Sequence, residues 1–210
     1  MYRPAFFRED RLDVMHALIR KHTLATLVTA GSNGLMANHI PFLLDATPSG
    51  NGTLRAHLAR ANDQLVDLRE GTETLVIFQG PDSYVSPSWY ASKAEHHQVV
   101  PTWNYATVHC WGTPRVHDDA TWLREQIGAL TATHEQNRAE PWAVTDAPEP
   151  FVASQIKAIV GLEIPISRIE GKWKVSQNRP EKDRAGVVEG LRALGDDVMA
   201  DLVTDRGLRK

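Results

Sequence analysis

Residues 24–44 read LATLVTAGSNGLMANHIPFLL, and this stretch decides the fold class. Leu24 to Thr29 and Ala37 to Leu44 are short apolar, β-rich runs, and Gly31-Ser32-Asn33-Gly34 between them has the composition of a hairpin turn. A third run, Thr53 to His57, follows Thr47-Pro48-Ser49-Gly50-Asn51-Gly52, a second loop of the same character. Three such runs in hairpin order predict an antiparallel meander.

Working outward from it, Asp10 to Arg20 places Leu12, Met15 and Ile19 at helical spacing, with Val14 and Leu18 widening the stripe. Asn62 stands at an N-cap position before Leu65 and Leu68, which predicts a short helix ending near Gly71. Glu73 to Phe78 reads as a buried strand, and Ser83 to Ser86 as its returning partner after a Gly80-Pro81-Asp82 turn. Thr102 to His117 alternates, with Trp103, Tyr105, Thr107, His109 and Trp111 on one side and Asn104, Ala106, Val108 and Cys110 on the other. Core packing accounts for most of those aromatics as well as a ligand does.

Asp118 and Asp119 open a helix carrying Leu123, Ile127 and Leu130, and Glu140 to Pro150 reads as a Pro-rich connection. Val160, Leu162, Ile164 and Ile166 then alternate with polar or small residues, and Pro165 predicts that this strand lies at an edge or carries a bulge. Past Pro180, the residues Val187, Leu191, Leu194, Val198 and Leu202 predict one amphipathic helix over about 180–204. The expectation is a single domain over 1–210, mainly β: a small antiparallel barrel of about seven strands with peripheral helices.

Of 210 residues, 42% are hydrophobic and 23% charged, which allows a sizeable core without staples. Cys110 stands alone, so no disulfide framework forms within the chain. No apolar run approaches the roughly 18 residues of a membrane span, and the N-terminus lacks a signal-peptide pattern, so a cytoplasmic protein is expected. A formal net charge of -3 gives no electrostatic footprint for nucleic acid. Neither GxGxxG nor GxxxxGK[ST] occurs, which argues against dinucleotide-binding α/β folds and P-loop enzymes, and no Gly-x-Ser-x-Gly elbow is present. His96-His97, His109 and His117 come nearest to a metal cluster but lack ligand spacing, so no metal is expected.

Four segments carry candidate chemistry. His57-Leu58-Ala59-Arg60-Ala61-Asn62 joins a strand to a helix, where His57, Arg60 and free amides could face one anion; the bland alternative is a capped turn. Ser83-Tyr84-Val85-Ser86-Pro87-Ser88-Trp89-Tyr90 with Lys93 could stack a planar ligand and meet its polar groups, or anchor an interface. Pro101-Thr102-Trp103-Asn104-Tyr105 poses the same choice. Gly171-Lys172-Trp173-Lys174-Val175-Ser176-Gln177-Asn178-Arg179 concentrates cations and amides, either for a phosphate or flavin edge or as a solvated turn.

Taken in order, HLARAN, GPDSYVSPSWYASK, VPTWNY followed by VH, and GKWKVSQNR resemble the PaiB-type family of FMN-binding negative transcriptional regulators, from Met1-Tyr2-Arg3-Pro4 nearly to the chain end. The resemblance implies an FMN-binding split barrel, shared with pyridoxamine-phosphate oxidase and flavin reductase relatives, acting as a homodimer with flavin sites made from both chains. It implies a phosphate region at His57, Arg60 and Asn62. Ser88, Trp89, Lys93, Trp103, Asn104 and Tyr105 would line the ring side, with Lys174, Ser176, Gln177 and Asn178 from the partner chain. The oxidase branch has Ser-Arg-Lys at the strand-helix junction; Ala59-Arg60-Ala61-Asn62 keeps one cation of the two, which predicts weaker phosphate contact.

Three functions follow as expectations. One is a flavin-dependent redox or sensor protein, an oxidoreductase if an enzyme, with no assignable catalytic residue; Tyr105 and His109 are its hypothetical proton donors. The second is a negative transcriptional regulator, for which the acidic 180–202 segment makes a poor groove reader, so an indirect or cofactor-free role is the better form. The third is a haem or other planar-ligand protein, with His39, His57 or His109 as axial candidates.

Overall fold

The computed structural model describes residues 1–32, 34–47 and 50–207; Asn33, Pro48 and Ser49, inside the two expected hairpin loops, lie outside the described residues, as do 208–210. In chain order the elements are β1 (Arg8–Glu9), α1 (Leu12–Lys21), β2 (Leu24–Gly31), β3 (Gly34–Pro41), β4 (Leu43–Asp45), β5 (Thr53–Ala59), α2 (Leu65–Glu70) and β6 (Thr74–Val85). There follow α3 (Lys93–His96), β7 (Thr102–Gly112), β8 (Arg115–His117), α4 (Ala120–Glu135), α5 (Glu149–Lys157), β9 (Ile159–Pro165), β10 (Arg168–Lys174), α6 (Glu181–Ala193) and α7 (Asp197–Gly207). The chain divides into two compact units, one of Met1–Met15, Gln79–Val108 and Glu170–Lys210, the other of His16–Phe78 and His109–Ile169.

The second unit holds the meander that residues 24–44 predict. β2 and β3 pair antiparallel from Leu24↔Pro41 to Gly31↔Gly34, and the start of β6 pairs with the other edge of β2. A four-stranded antiparallel sheet in the order β4-β5-β9-β8 completes the unit. Its buried face alternates as a half-buried sheet must: Leu54, Ala56 and Leu58 on β5, and Val160, Leu162 and Ile164 on β9. Each leucine, valine or isoleucine among them contributes roughly 1.5–3 kcal/mol of burial. The opposite face carries Arg55 and His57 toward α4, whose Trp122 sits in the hollow that Gly161 leaves on β9; a Cβ there would stand 2.3 Å from the indole. α4 begins where Asp119 accepts the Trp122 amide at 2.7 Å, the cap that the Asp118-Asp119 pair predicts.

In the first unit β1 and β10 pair antiparallel, with Arg8↔Lys172 and Glu9↔Gly171 in register, and β7 lies beside β10. The core of this unit includes Val85, Ala106, Val108, Trp173, Val175, Val187, Leu191, Met199 and Val203. On β7 the small-residue side, Asn104, Ala106 and Val108, is the buried one, while Trp103 and Tyr105 on the other side keep solvent exposure.

Several expectations need correction. No turn forms at Gly80-Pro81-Asp82: β6 runs straight through it, since a proline is tolerated in a strand wherever its missing N–H is not needed by the ladder. Pro165 sits on an inner strand, not an edge, as the terminal residue of β9 opposite Thr53. The single C-terminal helix is two, because Gly195 at φ 77° turns the chain left-handed between α6 and α7 and leaves Leu194, 74% exposed, off the apolar stripe. α5 lies at the end of the stretch taken for a Pro-rich connection, with a proline in its first turn, where no amide is needed.

Candidate functional site

The strand-to-helix junction of the second unit positions His57, Arg60 and Asn62, and the structure commits all three internally. Arg60 donates from Nη1 to Asp118 at 2.6 Å, from Nε to the Lys157 carbonyl at 3.1 Å and from Nη2 to the Ile159 carbonyl at 3.0 Å. Arg69 adds a second guanidinium to Asp118, and hydrogen bonds from Arg60 and then Arg69 hold that carboxyl below its ordinary range. The Asn62 side-chain oxygen accepts the Gln64 amide at 3.0 Å, and the next two amides go to the carbonyls of Asn62 and Asp63. His57 Nδ1 lies 2.7 Å from Gln126 Oε1. His57, Arg60 and Asn62 thus each have partners within the second unit, and α2 starts two residues later than Asn62 as an N-cap would set it.

The residues expected at the ring side and from the partner chain, Ser88 to Asn178, fall in the first unit, whereas His39 and His109 belong to the second. Ser88 receives Lys93 Nζ at 3.2 Å, and Trp89 lies against α6, where a Cβ on Gly190 would stand 2.3 Å from its indole. Trp89 is thus seated on a glycine notch of the helix. Trp103, 55% exposed, meets Tyr84, 48% exposed, edge to face with ring centres 6.0 Å apart. Asn104 is buried and donates to the Ser176 hydroxyl at 3.0 Å; Ser176 has φ 66°, a conformation rare for a residue with a side chain. The Gln177 amide is spent on its own turn, accepting from the Val175 amide and donating to the Trp173 carbonyl. Asn178 is exposed at the tip of the same turn.

Lys174 donates to Thr102 Oγ1 at 2.6 Å and to the Trp103 carbonyl, and so ties the GKWKV segment to the Trp103 strand. Burial first, then Lys172 and Arg179, lower its amine below the usual lysine range. Lys172 and Tyr84 stand in the candidate segments but are not carried into the expected site; Lys172 is 8% exposed with its amine 5.2 Å from the Tyr105 ring and 5.6 Å from the Tyr2 ring. Arg8 is left out altogether. The signal was present: Lys172 and Lys174 alternate with buried Trp173, the two-residue period of a strand, where the charges had suggested a solvated turn. The arrangement offers aromatic surface beside fixed positive charge, which suits a planar ligand with an anionic arm.

The family described as "Putative FMN-binding domain" matches residues 1–168. A protein of Emericella nidulans is 37% identical over 248 residues, covering 100% of this chain and 99% of its own. The protease synthase and sporulation protein PAI 2 of Bacillus subtilis is 29% identical over 192 residues, covering 91% of this chain and 89% of its own. Among solved structures, a FAD- and haem-binding protein of Mycobacterium smegmatis superposes with a TM-score of 0.57 at 22% identity, over 80% of this chain and 73% of its own. At that identity the likeness speaks to the fold, a split barrel built of two antiparallel sheets with helices. With four-fifths of its length matched by the family and a fungal relative aligned end to end, the chain belongs to the FMN-binding-domain family that includes the PaiB-type proteins.

Proposed function

We propose that the protein binds flavin mononucleotide as a cytoplasmic homodimer and acts as a redox or sensor protein. The observation that carries this reading is the pairing, inside one unit, of half-exposed aromatic surface at Trp103, Tyr84 and Tyr105 with the cations Lys172 and Lys174. The donor set fits the group: an exposed aromatic face suits an isoalloxazine ring, and ammonium groups suit a phosphate. Bound there, the flavin would supply electron or hydride transfer. Trp103 and Tyr105 would hold the ring, while Asn104, fixed by Ser176, and Lys174, fixed by Thr102, keep the strand end rigid beneath it. Ser88 and Lys93, bonded to each other in the same unit, and exposed Asn178 would meet the ligand's polar edge or the partner chain.

Support for a second copy of the chain comes from β3, an edge strand with one face exposed at Leu35, Ala37 and His39 and Leu35 81% exposed at its start. Edges of this kind are ordinarily covered, and a two-fold partner covers both at once. Negative control of transcription, where it occurs, runs in this reading through ligand state or a partner protein. α6 and α7 carry Glu181, Asp183, Glu189, Asp197, Asp201 and Asp205, and Arg192 is taken up by Asp197 and Asp201. The test is the visible spectrum of the purified protein after incubation with FMN and gel filtration, together with light scattering. Retained flavin absorption on a particle of two chains is expected. A haem band in place of flavin, or a monomer, would overturn the reading.

A further inference from the structure

The first unit places Arg8 directly opposite Lys172 on paired antiparallel strands, with Lys174 two residues farther along the same face of β10. Like charges facing each other across a ladder destabilise it. None of these three cations is within ion-pair distance of a carboxylate among the described residues. The nearest acidic neighbours are committed elsewhere: Glu9 to Arg11 and Arg206, Glu170 to the Met1 amine and Arg3. Among the described residues, Lys174 donates to the Thr102 hydroxyl and the Trp103 carbonyl and lies 6.0 Å from the Phe7 ring, while Lys172 lies over the faces of Tyr2 and Tyr105.

We infer that Arg8, Lys172 and Lys174 form the receiving site for a doubly charged phosphate monoester, the anionic arm of a ligand whose ring lies on the neighbouring aromatic surface. An arginine fork and two ammonium groups supply more donors than three phosphate oxygens require, and the dianion removes the repulsion that the empty ladder carries. The inference deepens the flavin reading and rests on it for the identity of the ring, but the charge arrangement stands without it. It also moves the phosphate from Arg60, which donates to Asp118 and to the carbonyls of Lys157 and Ile159, to a strand pair that the family resemblance did not point to.

The test compares wild type, Lys172→Gln, Lys172→Arg and a charge-matched control, Lys182→Gln, for affinity toward FMN, riboflavin and inorganic phosphate. Lys172→Gln is expected to weaken FMN at least tenfold and riboflavin less than threefold, Lys172→Arg to restore most of the loss, and Lys182→Gln to change neither. Because the substitution relieves repulsion, unliganded Lys172→Gln should melt at or above the wild-type temperature, whereas a merely structural lysine would lower it. Equal losses for both flavins, or a lowered melting temperature, overturn the assignment. If wild type binds neither flavin, the flavin reading fails and the anion site is judged on phosphate alone. A phosphate-dependent rise in melting temperature that Lys172→Gln abolishes supports the site, and no rise in wild type overturns it.

Discussion

Acid should uncouple the N-terminal strand from the last helix of the first unit, and the structure gives the size of the effect. Glu9 is 2% exposed, and its carboxylate accepts Arg11 Nε at 2.8 Å, the Arg11 amide at 2.9 Å and the guanidinium of Arg206 on α7, which also lies over Trp173. Burial alone raises its pKa, but the Arg11 hydrogen bonds and then Arg206 outweigh it and bring the carboxyl from 4.5 down to about 2. At 1.36 kcal/mol per pKa unit this difference sets a ceiling of roughly 3 kcal/mol. Water screens the half-exposed Arg11, which leaves about 2 kcal/mol. Because the folded value lies below the unfolded one, this stability is fully present above pH 4.5 and is lost as pH falls toward 2. Glu9→Gln should therefore lower the free energy of unfolding by about 2 kcal/mol near neutrality, or about 6 °C in melting temperature for a chain of this length. The gap between the two proteins should then close between pH 4.5 and 2, measured by urea denaturation at a series of pH values. Parallel pH profiles for the two proteins would refute the assignment of this stability to Glu9.

Other outcomes follow from single contacts. Gly161→Ala should cost about 1–3 kcal/mol in denaturant, since the new methyl meets Trp122 and separates it from its stack on His117; unchanged stability would show that α4 yields freely. Cys110 is buried with its thiol pushed far up by desolvation, so a thiol reagent should modify it only at the rate of unfolding, and rapid labelling of native protein would contradict that. Trp103→Ala should weaken FMN and riboflavin alike by about tenfold, as loss of a ring contact rather than a phosphate contact, read by flavin fluorescence; unchanged affinity for both would remove Trp103 from the site.

The meander was legible because hairpin chemistry and alternation are local: β2, β3 and β5 follow from the turn residues and the two-residue period alone. What resisted reading was decided by tertiary partners. Gly80-Pro81-Asp82 has every mark of a turn, yet the ladder on either side carries β6 through it. The charges of Lys172 and Lys174 disguised β10, whose buried residue Trp173 shows only the other face of the strand. Arg60 looked like a free cation because its acceptors, Asp118 and the carbonyls of Lys157 and Ile159, lie 58 to 99 residues away in sequence. Trp103, Asn104 and Tyr105 were legible as one stretch, whereas Lys174 and Ser176, expected from the partner chain, bond within this chain to Thr102, the Trp103 carbonyl and Asn104, and the residue opposite Lys172 could be identified only from strand register.

The account stands on a flavin nucleotide being the ligand of the first unit. The most direct measurement is an equilibrium titration of wild-type protein with FMN and riboflavin in parallel, followed by quenching of flavin fluorescence. Saturation at one FMN per chain, with riboflavin bound at least tenfold more weakly, is the predicted result, since charge-assisted phosphate contacts of about 1.5–3 kcal/mol each separate the two ligands. No saturable binding of either flavin by the folded protein would contradict it.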